Sequence, residues 1–190
     1  MAAHETGKVT TSRKSGSLQP DGPARLKRPQ PQPDIIGWRE IVSLPDLGIA
    51  TLKAKIDTGA RTSALHAVDQ QLFEREGRKW VRFKVPASAA HKTIPVETPL
   101  IDERDIKNTS GIPERRFVIR TTLLLGRHHW SIEASLANRA KMEFDLILGR
   151  SAIRRRGVLV DPGRSYVAGA PSSQFHVGAP IVPPPSGDIP

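Results

Sequence analysis

The run Leu52-Lys53-Ala54-Lys55-Ile56-Asp57-Thr58-Gly59-Ala60-Arg61-Thr62 changes character halfway along. Its first half alternates, with Leu52, Ala54 and Ile56 opposed by Lys53 and Lys55, which is the period of a half-buried strand. At Asp57 the alternation stops, and a carboxylate, a small hydroxyl, a glycine and an alanine follow in order. Such a run can present an acid on a tight turn at the end of an apolar strand. Asp and Gly are also common turn residues, so the tripeptide taken alone leaves both readings open. A second stretch, Asp145-Leu146-Ile147-Leu148-Gly149-Arg150, is an apolar strand ending in Gly-Arg. A short helix is predicted after it over residues 151–156, stopped by Gly157.

Working outward, the period of two continues. Val81, Phe83 and Val85 alternate with Arg82 and Lys84; Phe117, Ile119, Thr121 and Leu123 alternate with Val118, Arg120 and Thr122; Trp130, Ile132, Ala134 and Leu136 alternate with Ser131, Glu133 and Ser135. Between the last two strands lies Leu125-Gly126-Arg127-His128, where Gly126 suits the first central position of a type II′ hairpin turn. The expected class is mainly β, a small closed barrel with one short helix near the C-terminal end, because closure hides edges that a flat sheet would expose. No internal repeat is visible.

Of 190 residues, 1–34 and 169–190 are poor in apolar side chains and rich in Pro, Gly and polar groups, so both read as disordered tails around an ordered domain at 35–168. The chain carries 29 Lys and Arg against 19 Asp and Glu, a net charge of +10. Residues 35–170 alone hold 23 basic and 15 acidic side chains, a surplus of 8, so the basic character belongs to the folded part and favours polyanionic partners. There is no cysteine, which excludes disulfides, thiol catalysis and thiolate metal sites. No apolar run approaches the length of a spanning helix and the start lacks the apolar core of a signal peptide, so a soluble, cytoplasmic protein with no membrane partner is expected.

Asp57-Thr58-Gly59-Ala60 followed by two apolar residues and Gly149-Arg150 resembles the retropepsin-like aspartic proteases. The likeness extends through Gly37-Trp38-Arg39-Glu40, Leu44-Pro45-Asp46-Leu47, Ala54 to Leu65, and Asn138-Arg139 to Arg150, and is closest to a bacterial branch often labelled "ATP-dependent zinc protease". The residues do not support that label. No Gly-x-x-x-x-Gly-Lys-Ser/Thr loop and no His-Glu-x-x-His helix is present, and His128 and His129, adjacent on a strand, point to opposite faces. His66 and His91 stand alone, so no metal and no cofactor is expected.

The resemblance implies a homodimer. An aspartic protease needs two carboxylates around one water, and this chain has one Asp-Thr-Gly, so two copies of Asp57 would meet across a two-fold axis. Thr58 would brace the two catalytic loops, Gly59 would let substrate backbone approach, and Ile147, Leu148 and Gly149 would support the loop from beneath. A flap is expected within residues 87–115, near Thr109-Ser110-Gly111. Where retroviral enzymes carry acidic residues after the catalytic Ala60 position, this chain has Arg61 and Thr62, so that Ala60, Arg61, Thr62 and Arg150, with Arg115, Arg116 and Arg139 on the rim, are expected to line a cationic substrate groove. The bacterial branch is associated with ATP-grasp ligases that add glutamates to tails, and a glutamate-rich tail would satisfy such a groove. A catalytically silent module binding acidic peptides through the same fold is the alternative. Nucleic acid is disfavoured despite Arg154-Arg155-Arg156, for want of exposed aromatic residues for stacking.

Overall fold

A computed structural model describes residues 32–107 and 111–172. Residues 1–31, 108–110 and 173–190, which hold most of the two expected tails as well as Thr109 and Ser110, fall outside these; Asp34, placed in the first tail by the sequence, opens the first strand. Eleven strands, one 3-10 turn and one short helix are present among the described residues. They are β1 (Asp34–Leu44), the turn Pro45–Leu47, β2 (Ile49–Asp57), β3 (Ser63–His66), β4 (Val68–Arg75), β5 (Arg78–Val85), β6 (Ile94–Pro99), β7 (Asp102–Lys107), β8 (Pro113–Leu125), β9 (His128–Ala137), β10 (Leu146–Gly149), α1 (Arg150–Ile153) and β11 (Val158–Ser165).

Six of the strands close on themselves. The order β1-β2-β10-β3-β9-β8 returns to β1 through the pairs Val42 with Leu125 and Ser43 with Leu124. The expected closed barrel is therefore present, with β11 added outside β1 and β7 outside β8. Its core holds Leu52, Ile119, Leu123 and Leu136 from the alternating faces and Leu146 and Leu148 from the apolar strand, joined by Leu44, Leu65 and Leu125, all fully buried. Lys53 and Lys55 on the opposite face of β2 are exposed. The β8–β9 hairpin turns at Gly126, whose φ of 54° and the absence of a positive φ at Arg127 match the type II′ expectation.

A separate three-stranded sheet, β4-β5-β6, carries Val81, Phe83 and Val85 into the same core. On it Glu97 is buried, and Arg75 Nη2 and Arg82 Nε donate to its two oxygens at 2.5 and 2.6 Å. Burial pushes the Glu97 carboxyl up, yet the hydrogen bonds from Arg82 and Arg75 outweigh it and hold the group below its ordinary value.

The helix differs from the expectation. It is one turn, Arg150–Ile153, rather than residues 151–156, because Arg154 is already extended and Arg155 takes a left-handed φ of 63°. The Arg154-Arg155-Arg156 run thus follows the helix as an exposed turn. Arg156 lies over the Trp130 ring, 5.7 Å from its centroid.

Candidate active site

Asp57 is the last residue of β2, where the barrel strand runs out and the chain must turn. Its carboxylate makes that turn itself: Oδ1 accepts from the backbone N–H groups of Gly59 at 3.1 Å and Ala60 at 3.0 Å. Oδ2 has no hydrogen-bond partner among the described residues. One oxygen is thereby fixed by the loop, and the carboxylate is oriented by backbone rather than by flexible side chains.

The second motif lies directly beside the first. β10 runs parallel to β2, with Leu148 opposite Ile56 and Gly149 opposite Asp57, and antiparallel to β3. Beyond the sheet the two loops are stitched together. Arg150 N–H donates to Ala60 O at 2.9 Å and Ser151 N–H to Arg61 O at 3.0 Å, while Gly149 N–H reaches the buried Ser63 hydroxyl at 3.3 Å. Gly149 is required sterically: a Cβ there would lie 2.5 Å from the backbone C and O of Thr62. Sequence reasoning missed Ser63; its position six residues after Asp57, at the start of β3, carried no signal without the β10 register.

Arg150 turns inward on the loop. Its Nη1 donates to the carbonyls of Thr58 and Gly59, both at 2.8 Å, which holds the Asp-Thr-Gly turn from below. Arg150 is expected to line the groove, where a substrate carboxylate is one way to satisfy it; it is not among the residues lining the cleft beside Asp57, and Nη1 braces the loop while Nε and Nη2 bond no described residue. Arg61 is exposed beside the loop and makes no side-chain bond to a described residue. Thr58 is exposed, and Thr62 is half-buried behind Arg61.

Opposite the loop stands the arm formed by β7 and the start of β8, paired from Asp102 with Val118 to Lys107 with Pro113. Between arm and loop lies a cleft of about 1260 Å³, lined by Asp57, Gly59, Ala60, Arg61 and Thr62 on one side and by Arg104, Ile106, Glu114 and Arg116 on the other. The expected flap region is thus divided. Residues 94–99 belong to the three-stranded sheet, and the described part of the β7–β8 arm lines the same cleft as Asp57. Alternation along β8 separates the two neighbouring arginines. Arg116 faces the cleft, its Nε and Nη2 on Glu114, whereas Arg115 is exposed and bonds Glu103 at 3.2 Å without lining the cleft.

Arg139 joins the cleft from the segment after β9. Its backbone N–H donates to His66 Nδ1 at 3.0 Å and its Nε to Phe144 O at 3.0 Å. Burial pulls the guanidinium below its ordinary value, and Arg116 adds to that, while Asp145 and Asp57 act in the opposite direction. With His66 Nδ1 engaged by a backbone donor, and with no three His, Asp or Glu side chains converging among the described residues, the donor set does not fit a zinc ion. No helix among the described residues is long and apolar enough to cross a membrane.

Comparison with known proteins places this arrangement. A solved structure of Lpg0085 from Legionella pneumophila, a protein of unknown function, superposes with a TM-score of 0.62 at 31% identity, covering 71% of this chain and 98% of that one. Proteins named "Probable alpha-L-glutamate ligase" are similar in sequence: 45% identical over 142 residues in Desulfotalea psychrophila and 42% over 137 residues in Parasynechococcus marenigrum. The matches cover 74% and 71% of this chain but 30% and 29% of those proteins, so the chain spans about a third of the length of the curated relatives it matches. Residues 35–171 match the family model described as retropepsin-like aspartic endopeptidase RimB. With the Asp-Thr-Gly loop, the adjacent Gly-Arg strand end and the closed barrel in place, the chain belongs to the RimB-like family of retropepsin-like aspartic endopeptidases.

Proposed function

We propose that the protein is an aspartic endopeptidase that hydrolyses peptide bonds in glutamate-rich tails, using two Asp57 carboxylates brought together by a homodimer. The observation that carries this reading is the Asp57 carboxylate itself, fixed through Oδ1 by two loop N–H groups and open at Oδ2 on the cleft. Two such groups held close cannot both ionise, so the pair keeps one proton. The ionised member takes a proton from water as the water oxygen bonds to the scissile carbonyl carbon, and the protonated member gives its proton to the carbonyl oxygen. From the resulting diol one hydroxyl proton returns to the pair, the leaving nitrogen is protonated, and the C–N bond breaks. One water is consumed and the pair regains its starting proton count.

The other cleft carboxylates are poor substitutes for a second Asp57. Glu114 is held by Arg116, and Asp105 is an exposed residue of the arm. An acidic substrate is supported by the cations Arg61, Arg104, Lys107, Arg116 and Arg139 around the cleft, and by relatives named as probable alpha-L-glutamate ligases. A ligase that lengthens a tail and a peptidase that shortens it would act on the same chemistry. The test is incubation with glutamate-tailed and unmodified peptides, read by mass spectrometry, for wild type and Asp57→Asn. Cleavage of the tailed peptide by wild type alone is expected. Tight binding without cleavage would favour the silent binding module.

A further inference from the structure

The cations around the cleft are not equivalent. Arg104 is neutralised by Asp102 at 2.6 Å and Glu133 at 2.9 Å, and Arg116 by Glu114 at 2.6 Å. Arg61 and Lys107 carry no ion pair to a described residue, but both are exposed and keep their hydration. Arg139 is half-buried, and no described carboxylate comes within ion-pair distance of it. Its Nε is anchored on the Phe144 carbonyl and its backbone on the buried His66 ring, so the fork is held in place while Nη1 and Nη2 make no bond to a described residue. Across from it, the Arg116 side chain is only 13% exposed and repels it.

A partly desolvated, pre-positioned guanidinium with no carboxylate in contact, attracted only at longer range by Asp145 and Asp57 and opposed by Arg116, gains from an arriving anion. A carboxylate can take two parallel N–H bonds from such a fork, and charge-assisted bonds of this kind are the strong ones. We infer that Arg139, backed by Arg116, is the specificity anchor of the cleft and takes one side-chain carboxylate of an acidic peptide in a subsite beside Asp57. The inference rests on the acidic-peptide reading above and moves its centre from Arg61 and Arg150 to Arg139. Arg139 is a binding residue here and takes no part in bond breaking.

The test reads binding, so that it stands apart from hydrolysis. Dye-labelled, C-terminally amidated tetraglutamate and tetraglutamine peptides are titrated by fluorescence anisotropy against the full chain carrying Asp57→Asn, alone and with Arg139→Gln or Arg139→Lys. The parent should prefer the glutamate peptide, and Arg139→Gln should weaken that peptide about ten to a hundred fold while shifting the glutamine peptide less than about two-fold. Arg139→Lys, which keeps the charge and loses the fork, should fall between. Equal weakening of both peptides would show that Arg139 only supports the fold, and an undiminished glutamate preference in Arg139→Gln would place the anchor elsewhere; either overturns the inference. So does a parent that does not distinguish the two peptides. Failure of the peptidase reading, by contrast, appears as absent cleavage in wild type and leaves this binding ratio unaffected.

Discussion

Gly149→Ala should damage both stability and activity through one contact. The added methyl would sit 2.5 Å from Thr62 C and O and 2.9 Å from Arg61 C, all backbone atoms with no flexible end to swing away. Relief requires β10 to part from the 61–62 segment, and the same movement stretches the Arg150 to Ala60 and Ser151 to Arg61 hydrogen bonds. Overpacking of this kind costs about 1 to 3 kcal/mol. In a domain of this size each kcal/mol moves the melting temperature by roughly 3 to 5 °C, so a fall on the order of 5 to 10 °C is expected. Because Asp57 is opposite Gly149 in the ladder, a displacement near 1 Å there should reduce kcat by about a hundred fold, more than the fraction unfolded explains. Two other glycines separate the causes. Gly59→Ala meets only Asp57 Oδ1 at 3.3 Å and should melt like wild type, losing activity if substrate backbone passes over that position. Gly157→Ala has open space but a φ of 68°, and should cost about 1 kcal/mol from backbone strain with no specific effect on turnover. The measurements are thermal unfolding by circular dichroism and hydrolysis of a glutamate-tailed peptide. A Gly149→Ala protein melting within about 1 °C of wild type would refute the claim that strand and loop are locked together by that close approach.

Arg150→Met removes both 2.8 Å bonds to the Thr58 and Gly59 carbonyls, which lie at the surface; turnover should drop at least about ten-fold while folding stability falls by less than about 1 kcal/mol, and matched losses would argue against a bracing role. Glu97, depressed in the folded state, contributes stability that is complete above its unfolded pKa and is lost as pH falls through the lower folded value. Glu97→Gln should therefore cost roughly 1 to 3 kcal/mol at neutral pH and flatten part of the acid limb of the stability curve, as followed by denaturant titration between neutral and acid pH. Its arginines are partly exposed and can rehydrate, which keeps the cost below that of a fully buried pair. An unchanged acid limb would show that Glu97 is not held low. Chelators should leave peptide hydrolysis unchanged, and a rate that falls with chelation and returns with zinc would contradict a reaction carried by carboxylates alone.

The barrel was legible because its strands obey period two against a single core. The apolar faces at Leu52 to Ile56, Ile119 to Leu123 and Trp130 to Leu136 are the residues found buried. Strands without that pattern were not legible. β7, Asp102–Lys107, is almost wholly charged and is held by its ladder to β8 and by pairs such as Arg115 with Glu103. β11 contains Pro162 and Gly163, which punctuate sequence, yet it lies at an edge beside β1, where a missing N–H is tolerated. The helix ends before the stop that Gly157 suggests, because the chain already turns at Arg155 with a left-handed φ of 63°. At the site, Asp57 and Gly149-Arg150 could be read as motifs. The partners of Arg150 and Arg139 could not, since charge alone does not tell a bracing guanidinium from an open one.

Mixing experiments address the shared pair of acids most directly. Wild-type chain at fixed concentration is equilibrated with increasing Asp57→Asn chain, and the initial rate of hydrolysis of a glutamate-tailed peptide is measured. If each active centre needs Asp57 from two chains, mixed dimers are dead, and the rate should fall to about half at equal amounts and to about a tenth at nine-fold excess. A rate indifferent to the added variant would contradict the paired-aspartate account, because each chain would then be working with its own groups alone.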